Sequence, residues 1–234
     1  MIALQDLHKS FGDKQVLAGV NLQVGQGESL CVIGQSGTGK SVLLKCILGL
    51  VQPDRGRITW NGRPLDRAAF MAGFGMLFQG AALFDSMSVW QNVAFRLRQR
   101  MSDAKARAIA LDKLARVGLG AETADLMPAE LSGGMAKRVG LARAIADDPS
   151  VIFFDEPTTG LDPIRARAIN ALIRDIVTQT GATAITITHD MDSVRAIGGR
   201  VALLQGGRIV HDGPVAGMSD APELADFLGV GVAK

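Results

Sequence analysis

The chain of 234 residues has no tyrosine, two tryptophans, three histidines and two cysteines. Cys31 and Cys46 fall in an expected buried strand and helix, where they read as small core residues of a reducing compartment, not as a disulfide or metal pair. One-sided charge is also missing. Twenty-five Lys and Arg against 23 Asp and Glu leave a net charge of +2, too little to argue for nucleic acid. No apolar run approaches the roughly 20 residues that cross a bilayer, and no hydrophobic leader precedes a cleavage site. A cytosolic location is the expectation. Glycine is plentiful instead: 28 residues, enough that many backbone positions must need left-handed geometry or close approach to a neighbour.

The 47% apolar and 21% charged content is that of a globular protein, and the length is ample for one large domain or a domain with an inserted lobe. Ile2 to Leu7, Val16 to Val24 and Arg57 to Trp60, the last before the Asn61-Gly62 turn signal, predict an antiparallel sheet region. Leu30 to Ile33, Val151 to Phe154 and Ala184 to Thr188 are continuous apolar strands, the mark of a parallel sheet covered on both faces. Helical patterning dominates from about Val89 to Ile145, where Ala104, Ile109, Leu111, Leu114 and Val117 suggest one apolar stripe. The expected fold class is α/β: a phosphate-loop nucleotide-binding core, residues 1–80 and 146–234, with a helical subdomain inserted at about 81–145. A short helix is expected near Glu223 to Leu228.

Gly34-Gln35-Ser36-Gly37-Thr38-Gly39-Lys40-Ser41 fits the phosphate-loop pattern, after an apolar strand and ahead of a helix over Val42 to Leu48. Glycines 34, 37 and 39 let successive backbone N–H groups converge on a phosphate, helped by the positive helix N-terminus. Lys40 then neutralises the β- and γ-phosphates of a nucleoside triphosphate, and the Ser41 hydroxyl coordinates Mg2+. The Val151 to Phe154 strand ends in Asp155 and Glu156. Asp155 is placed to hold Mg2+ through water, and Glu156 to orient or deprotonate the attacking water. Two acids after an apolar strand are common by chance, and the phosphate loop upstream gives them weight. Ser132-Gly133-Gly134 precedes a helical stretch, with Ser132 a natural N-cap; taken alone this is as well read as an ordinary capped helix.

Phosphate loop, Gln79, Leu131-Ser132-Gly133-Gly134, Asp155-Glu156-Pro157, Gly160-Leu161-Asp162 and His189 stand in the order found in ATP-binding cassette (ABC) ATPases, and the resemblance covers nearly the whole chain. It implies two subunits paired head to tail, with Ser132, Gly133 and Gly134 of one completing the γ-phosphate site of the other. Phe11 sits where the family stacks an aromatic ring on adenine, usually tyrosine; core packing is the competing reading for it. By the same resemblance residues 34–42, from Gly34 through Lys40 and Ser41 to Val42, bind ATP. Gln79 contacts the metal and the water, Asp162 crosses the dimer interface, and His189 contacts the γ-phosphate. His8 and His211 have no such counterpart and read as structural.

Met135 stands where most members have glutamine, and Phe74 to Asp85, Ser88 to Phe95 and Leu131 to Arg138 look like the MlaF-like branch. That branch comprises the ATPases of bacterial phospholipid transporters that work with MCE-domain proteins. The resemblance implies an MlaE-type permease, an MCE-domain protein and a small STAS-domain protein as partners, at the cytoplasmic face of the inner membrane. The segment from Gln79 to Phe84 is expected to form, with the helical lobe, a groove for a cytoplasmic permease helix; core packing of Leu83 and Phe84 is the alternative. Two other readings stay open: an ATPase serving another importer or exporter, and a non-transport relative acting on DNA or ribosomes. The chain has no room for the long coiled coils of the DNA-acting relatives and carries one cassette where the ribosomal ones carry two.

Overall fold

The structure is a computed structural model and describes residues 1–228. Strands β1 (Ile2–Phe11) and β2 (Lys14–Val24) lead to β3 (Ser29–Ile33) and helix α1 (Lys40–Ile47). Next come β4 (Arg55–Trp60), β5 (Arg63–Pro64) and α2 (Arg67–Ala72). Strand β6 (Phe74–Leu77) opens a run of helices, α3 (Val89–Val93), α4 (Asp103–Arg116) and α5 (Gly133–Ala144). Strand β7 (Val151–Asp155), α6 (Pro163–Thr180), β8 (Thr183–Ile187) and α7 (Met191–Ile197) follow. The chain then forms β9 (Arg200–Gln205), β10 (Arg208–Pro214) and α8 (Pro222–Leu228). Two compact units result, one of Met1–Ala72 with the chain from Thr183 onward, the other of Gly73–Ala182.

In the first unit the expected antiparallel sheet is present, in the order β2-β1-β4-β5. Leu17, Val20, Leu22 and Val24 of β2 are buried, as are Ile2, Leu4 and Leu7 of β1, so this sheet hides one face. Beside it β3 lies parallel to both β8 and β9, and β10 runs antiparallel along β9. Every residue of β8 and four of five in β3 are buried, which is why both strands lack the polar alternation of a half-exposed strand, with only Thr183 and Thr186 as polar residues inside β8. Arg200 stitches the outer part together, bonding Glu28 at 2.8 Å and gripping the Asp212 carboxylate with two nitrogens.

In the second unit β6 and β7 pair in parallel, and α3, α4 and α5 pack on one another. The α4 stripe differs from the pattern read in the sequence. Ala104 is exposed and Ile109 and Leu111 are only half-buried, whereas Ala106, Ala110, Lys113, Leu114 and Val117 are buried. Small alanines let α4 approach its neighbours, and Lys113 is tolerated inside because its ammonium reaches the Asp148 carboxylate at 2.5 Å. Buried Asn92 explains the Ser88 to Phe95 motif. Its carboxamide oxygen accepts from the Phe84 N–H at 2.7 Å, and its nitrogen donates to the carbonyls of Phe84, Met87 and Ser88. One side chain thus ties the loop after β6 to α3. Among the described residues no helix is long and apolar enough to cross a membrane.

Candidate functional site

In the first unit, β3 delivers the chain to Gly34, whose φ is +158°. A Cβ there would lie 2.4 Å from the Leu204 carbonyl oxygen and 2.8 Å from Thr38 Oγ1, so the strand can turn into the loop only through glycine. Gly39, at φ +104°, would place a Cβ 2.9 Å from Val16 Cγ1. It also begins α1 without any side-chain cap, leaving the first-turn amides for an outside acceptor. Gln35, Ser36 and Gly37 are exposed, as is Ser41, while Thr38 and Val42 are half-buried. Lys40, only 8% exposed, bends over the loop and donates to the Gly34 carbonyl at 2.6 Å and the Gln35 carbonyl at 2.9 Å. A buried ammonium, uncapped amides and a hydroxyl around one glycine cradle suit an anion such as a phosphate group.

His189 reaches the same edge of this unit. Val32 pairs with Ile187, so the residues two steps beyond each, Gly34 and His189, leave β3 and β8 on the carboxyl side together. His189 is exposed there. Phe11 ends β1 at 52% exposure, which excludes core packing and offers a ring face. Its surroundings are fixed. Lys9 Nζ lies 5.3 Å from the ring centroid and 2.6 Å from the Asp54 carboxylate, which also accepts from the Ser10 N–H at 2.6 Å. The Lys9 ammonium and that N–H hold the Asp54 carboxyl below the usual carboxylate range.

In the second unit, Leu77 of β6 pairs with Phe154 of β7. Gln79, Asp155 and Glu156 therefore emerge at one end of this strand pair. Glu156 has φ +48°, a left-handed backbone in a residue other than glycine, and its carboxylate accepts from Thr159 Oγ1 at 3.0 Å. Ser132 and Gly133 are exposed at the start of α5, and Ser132 Oγ accepts from the Met135 N–H at 3.3 Å. Asp162 caps α6 by accepting from the Arg165 N–H at 2.9 Å, and pairs with the Arg165 guanidinium at 3.2 Å. A cavity of 350 Å³ lies beside β6 and is lined by Phe74, Met76, Phe78, Phe84, Phe95 and Arg143. Phe78 and Phe84 are 40% and 42% exposed, so they form the wall of this groove and are not core.

Two cations of α5 were not legible as functional. Lys137 is buried and its ammonium donates to the Gln79 carbonyl and, at 3.4 Å, to that of Glu156. Burial lowers its pKa, against which the Asp155 and Glu156 carboxylates favour the charged form. Arg143 donates to the carbonyls of Ala81 at 2.5 Å and Ala82 at 2.7 Å, and burial likewise lowers its pKa. No sequence signal marks either residue, since six positions along a helix is not a shared face and their partners are backbone carbonyls of residues 79–82 and 156.

Residues 17–159 match the family described as ABC transporter. The chain is 40% identical over 237 residues to the probable ribonucleotide transport ATP-binding protein mkl of Mycobacterium tuberculosis, covering 97% of this chain and 66% of that protein. It is 41% identical over 222 residues to the methionine import ATP-binding protein MetN of Mesorhizobium japonicum, covering 92% and 60%. It is 40% identical over 239 residues to the protein TRIGALACTOSYLDIACYLGLYCEROL 3, chloroplastic, of Arabidopsis thaliana, covering 91% and 68%. The chain thus spans about two thirds of the length of the curated relatives it matches. The dimeric post-hydrolysis structure of the ATP-binding cassette MJ0796, bound to ADP and Pi, superposes with a TM-score of 0.82 at 30% identity, over 92% of this chain and 99% of that one. With its phosphate loop, paired acids and Ser-Gly-Gly helix cap, the chain belongs to the ABC transporter family, as an ATP-binding, ATP-hydrolysing cassette.

Proposed function

We propose that this cassette drives phospholipid movement between the inner and outer membranes of a bacterium as the ATPase subunit of an MCE-type, Mla-like complex. It would work as a head-to-tail homodimer on the cytoplasmic side of an MlaE-type permease, with an MCE-domain protein and a small STAS-domain protein as further partners. The observation that carries this reading is the aromatic groove beside Gln79, open on Phe78 and Phe84 and shaped for an apolar helix of a membrane partner. The relative named for trigalactosyldiacylglycerol, a lipid, supports a lipid cargo.

The roles follow from the chemistry of each group. The loop amides of residues 34–42 and the Lys40 ammonium bind the β- and γ-phosphates, and the exposed Phe11 ring stacks on adenine. Ser41, Gln79 and Asp155 would hold Mg2+, which when bound offsets phosphate charge. Their donor set fits: one hydroxyl, one amide and one carboxylate suit an ion that takes its other ligands from phosphate and water. Among the described residues no cluster of three His, Cys, Asp or Glu offers a cage of its own. Glu156 orients a water and takes its proton as the water oxygen bonds to the γ-phosphorus and the bond to the β-phosphate oxygen breaks. His189 bonds the γ-phosphate, and Ser132, Gly133 and Gly134 of the opposing copy close on the same phosphate, with Asp162 at the joint. Because nucleotide binds the closed pair more tightly than the open one, ATP pulls the dimer shut and hydrolysis lets it relax. Residues 81–145, which contain α3, α4 and α5, serve as the helical insertion that meets the permease.

The relative named for methionine import favours a second reading, in which the same engine serves a small solute. Purification of the chain from its native host with its membrane partners decides between them. A permease together with an MCE-domain protein, and ATPase activity raised by phospholipid in the reconstituted complex, are the expected results. A permease with a solute-binding protein, and no response to phospholipid, would replace lipid by a small solute.

A further inference from the structure

Helix α5 begins with the Ser-Gly-Gly cap and ends under the β6 strand, and three positions along it meet the segment that follows β6. Lys137 donates to the carbonyls of Gln79 and Glu156. Gly140 lies so close that a Cβ would sit 2.8 Å from Leu77 Cδ1 and 3.2 Å from Ala81 Cβ. Arg143 grips the Ala81 and Ala82 carbonyls and places its guanidinium about equally near Phe78 and Phe84, at 5.9 Å and 6.0 Å from the ring centroids. The clamped residues are strained: Ala81 and Ala82 have φ of +61° and +47°, and Glu156 has +48°. Alanine does not hold two successive left-handed conformations unaided, so an outside partner must fix them. The partners here are two cations presented six residues apart on one helix. A flexible loop could not supply that spacing, whereas a helix carrying the cap at its own N-terminus moves all three contacts as one body.

We infer that Lys137 and Arg143 are positioning residues, through which α5 braces the Gln79–Ala82 turn and the Glu156 backbone, so that whatever touches the Ser-Gly-Gly cap or the aromatic groove is felt at Gln79 and Glu156. The inference rests on the ATPase reading above and adds the linkage within this unit. Lys137 aligns two reacting-end groups from outside the reaction: it sets where the Gln79 amide and the Glu156 carboxylate point, without itself touching substrate.

The test compares the full-length wild type with Lys137→Met, Lys137→Arg and Arg143→Met, using Mg-ATP turnover and amide hydrogen exchange followed by mass spectrometry. Lys137→Met keeps the shape of the side chain and removes its donors. It is expected to speed exchange at residues 78–82 by about tenfold or more and to lower kcat by about 10- to 100-fold, with KM for Mg-ATP within about twofold. Lys137→Arg is expected to restore both. Arg143→Met should speed exchange at 81–84 while leaving exchange at 155–159 less affected. Should Lys137→Met not fold, Lys137→Leu, which also lacks a donor, carries the same comparison. Unchanged exchange at 78–82 with kcat within about twofold of wild type overturns the brace, as does an equal loss in Lys137→Met and Lys137→Arg. A wild-type chain that turns over no Mg-ATP would sink the reaction assigned above, and the exchange measurement would still decide whether α5 holds the turn.

Discussion

The phosphate loop and the Gln79–Glu156 region, for which the proposed function gives comparable jobs around a phosphate, are built by opposite means. The loop is local. Eight consecutive residues, with glycine where a Cβ would strike Leu204 or Val16, dictate the backbone, and the one long side chain that matters, Lys40, bonds carbonyls five and six residues away. The other region is assembled from distant parts of the chain. Lys137 is 58 residues from Gln79 and 19 from Glu156, and Arg143 is 61 and 62 from the carbonyls it holds. A site made of contiguous backbone binds by a shape that its own residues dictate. A site made of remote side-chain ties can be loosened or tightened from elsewhere, which suits a turnover step that must answer to a partner.

The proposed division of labour, binding in one region and turnover in the other, can be broken by substitution. The largest effect is expected at Glu156: Glu156→Gln should lower ATP turnover by about 100- to 10,000-fold while ATP affinity stays near wild type, as read by steady-state phosphate release and by equilibrium binding. Loss of binding in that variant would merge the two regions into one. Ser132→Arg should cost about 100- to 1,000-fold in turnover, again with binding to the monomer intact. Loss of monomer binding would place the Ser-Gly-Gly cap within its own subunit's site. Phe11→Ala tests the other side and should weaken ATP binding by about 5- to 100-fold, with kcat at saturating ATP little changed. A fall in kcat alone would deny the ring its stacking role.

The smallest effect is expected at Asp54, and its sign follows from the carboxyl's depressed pKa. A carboxylate that ionises more readily when folded adds stability that is present above its unfolded value of 3.8 and is lost as pH falls through the lower folded value. The difference in melting temperature between wild type and Asp54→Asn should be constant from roughly pH 5 to pH 8 and close in stronger acid. A difference that grows as the solution is acidified would contradict the Lys9–Asp54 tie.

Much of this architecture was legible in the sequence because it is written locally. The apolar runs ending at Ile33, Phe154 and Ile187 mark buried parallel strands, two in the first unit and one in the second, and the loop, the acids and the Ser132 cap all stand where those runs stop or a helix starts. The α4 stripe was misplaced because alanine and a paired lysine occupy its buried face, and neither reads as apolar by pattern. Strand β6, the β9–β10 hairpin and α2 were not foreseen. The buried run Val201–Leu204 of β9 is as plainly apolar as the others, but β6 and α2 are short and β10 has mixed faces, so these three depend on neighbours that only the fold supplies. Lys137 and Arg143 were invisible for the same reason. Their roles lie in carbonyls that only the fold brings near, and no residue type advertises a carbonyl. Asn92 was visible as a residue but not as a hub, since its partners are again backbone groups.

The central claim, that ATP is held between two copies, is tested most directly by sedimentation of Glu156→Gln with and without Mg-ATP. The account predicts a dimer with ATP, a monomer without it, and a monomer under both conditions when Ser132→Arg is added. A chain that sediments as a monomer with ATP bound, while the wild type hydrolyses at full rate at every concentration as a monomer, would contradict it.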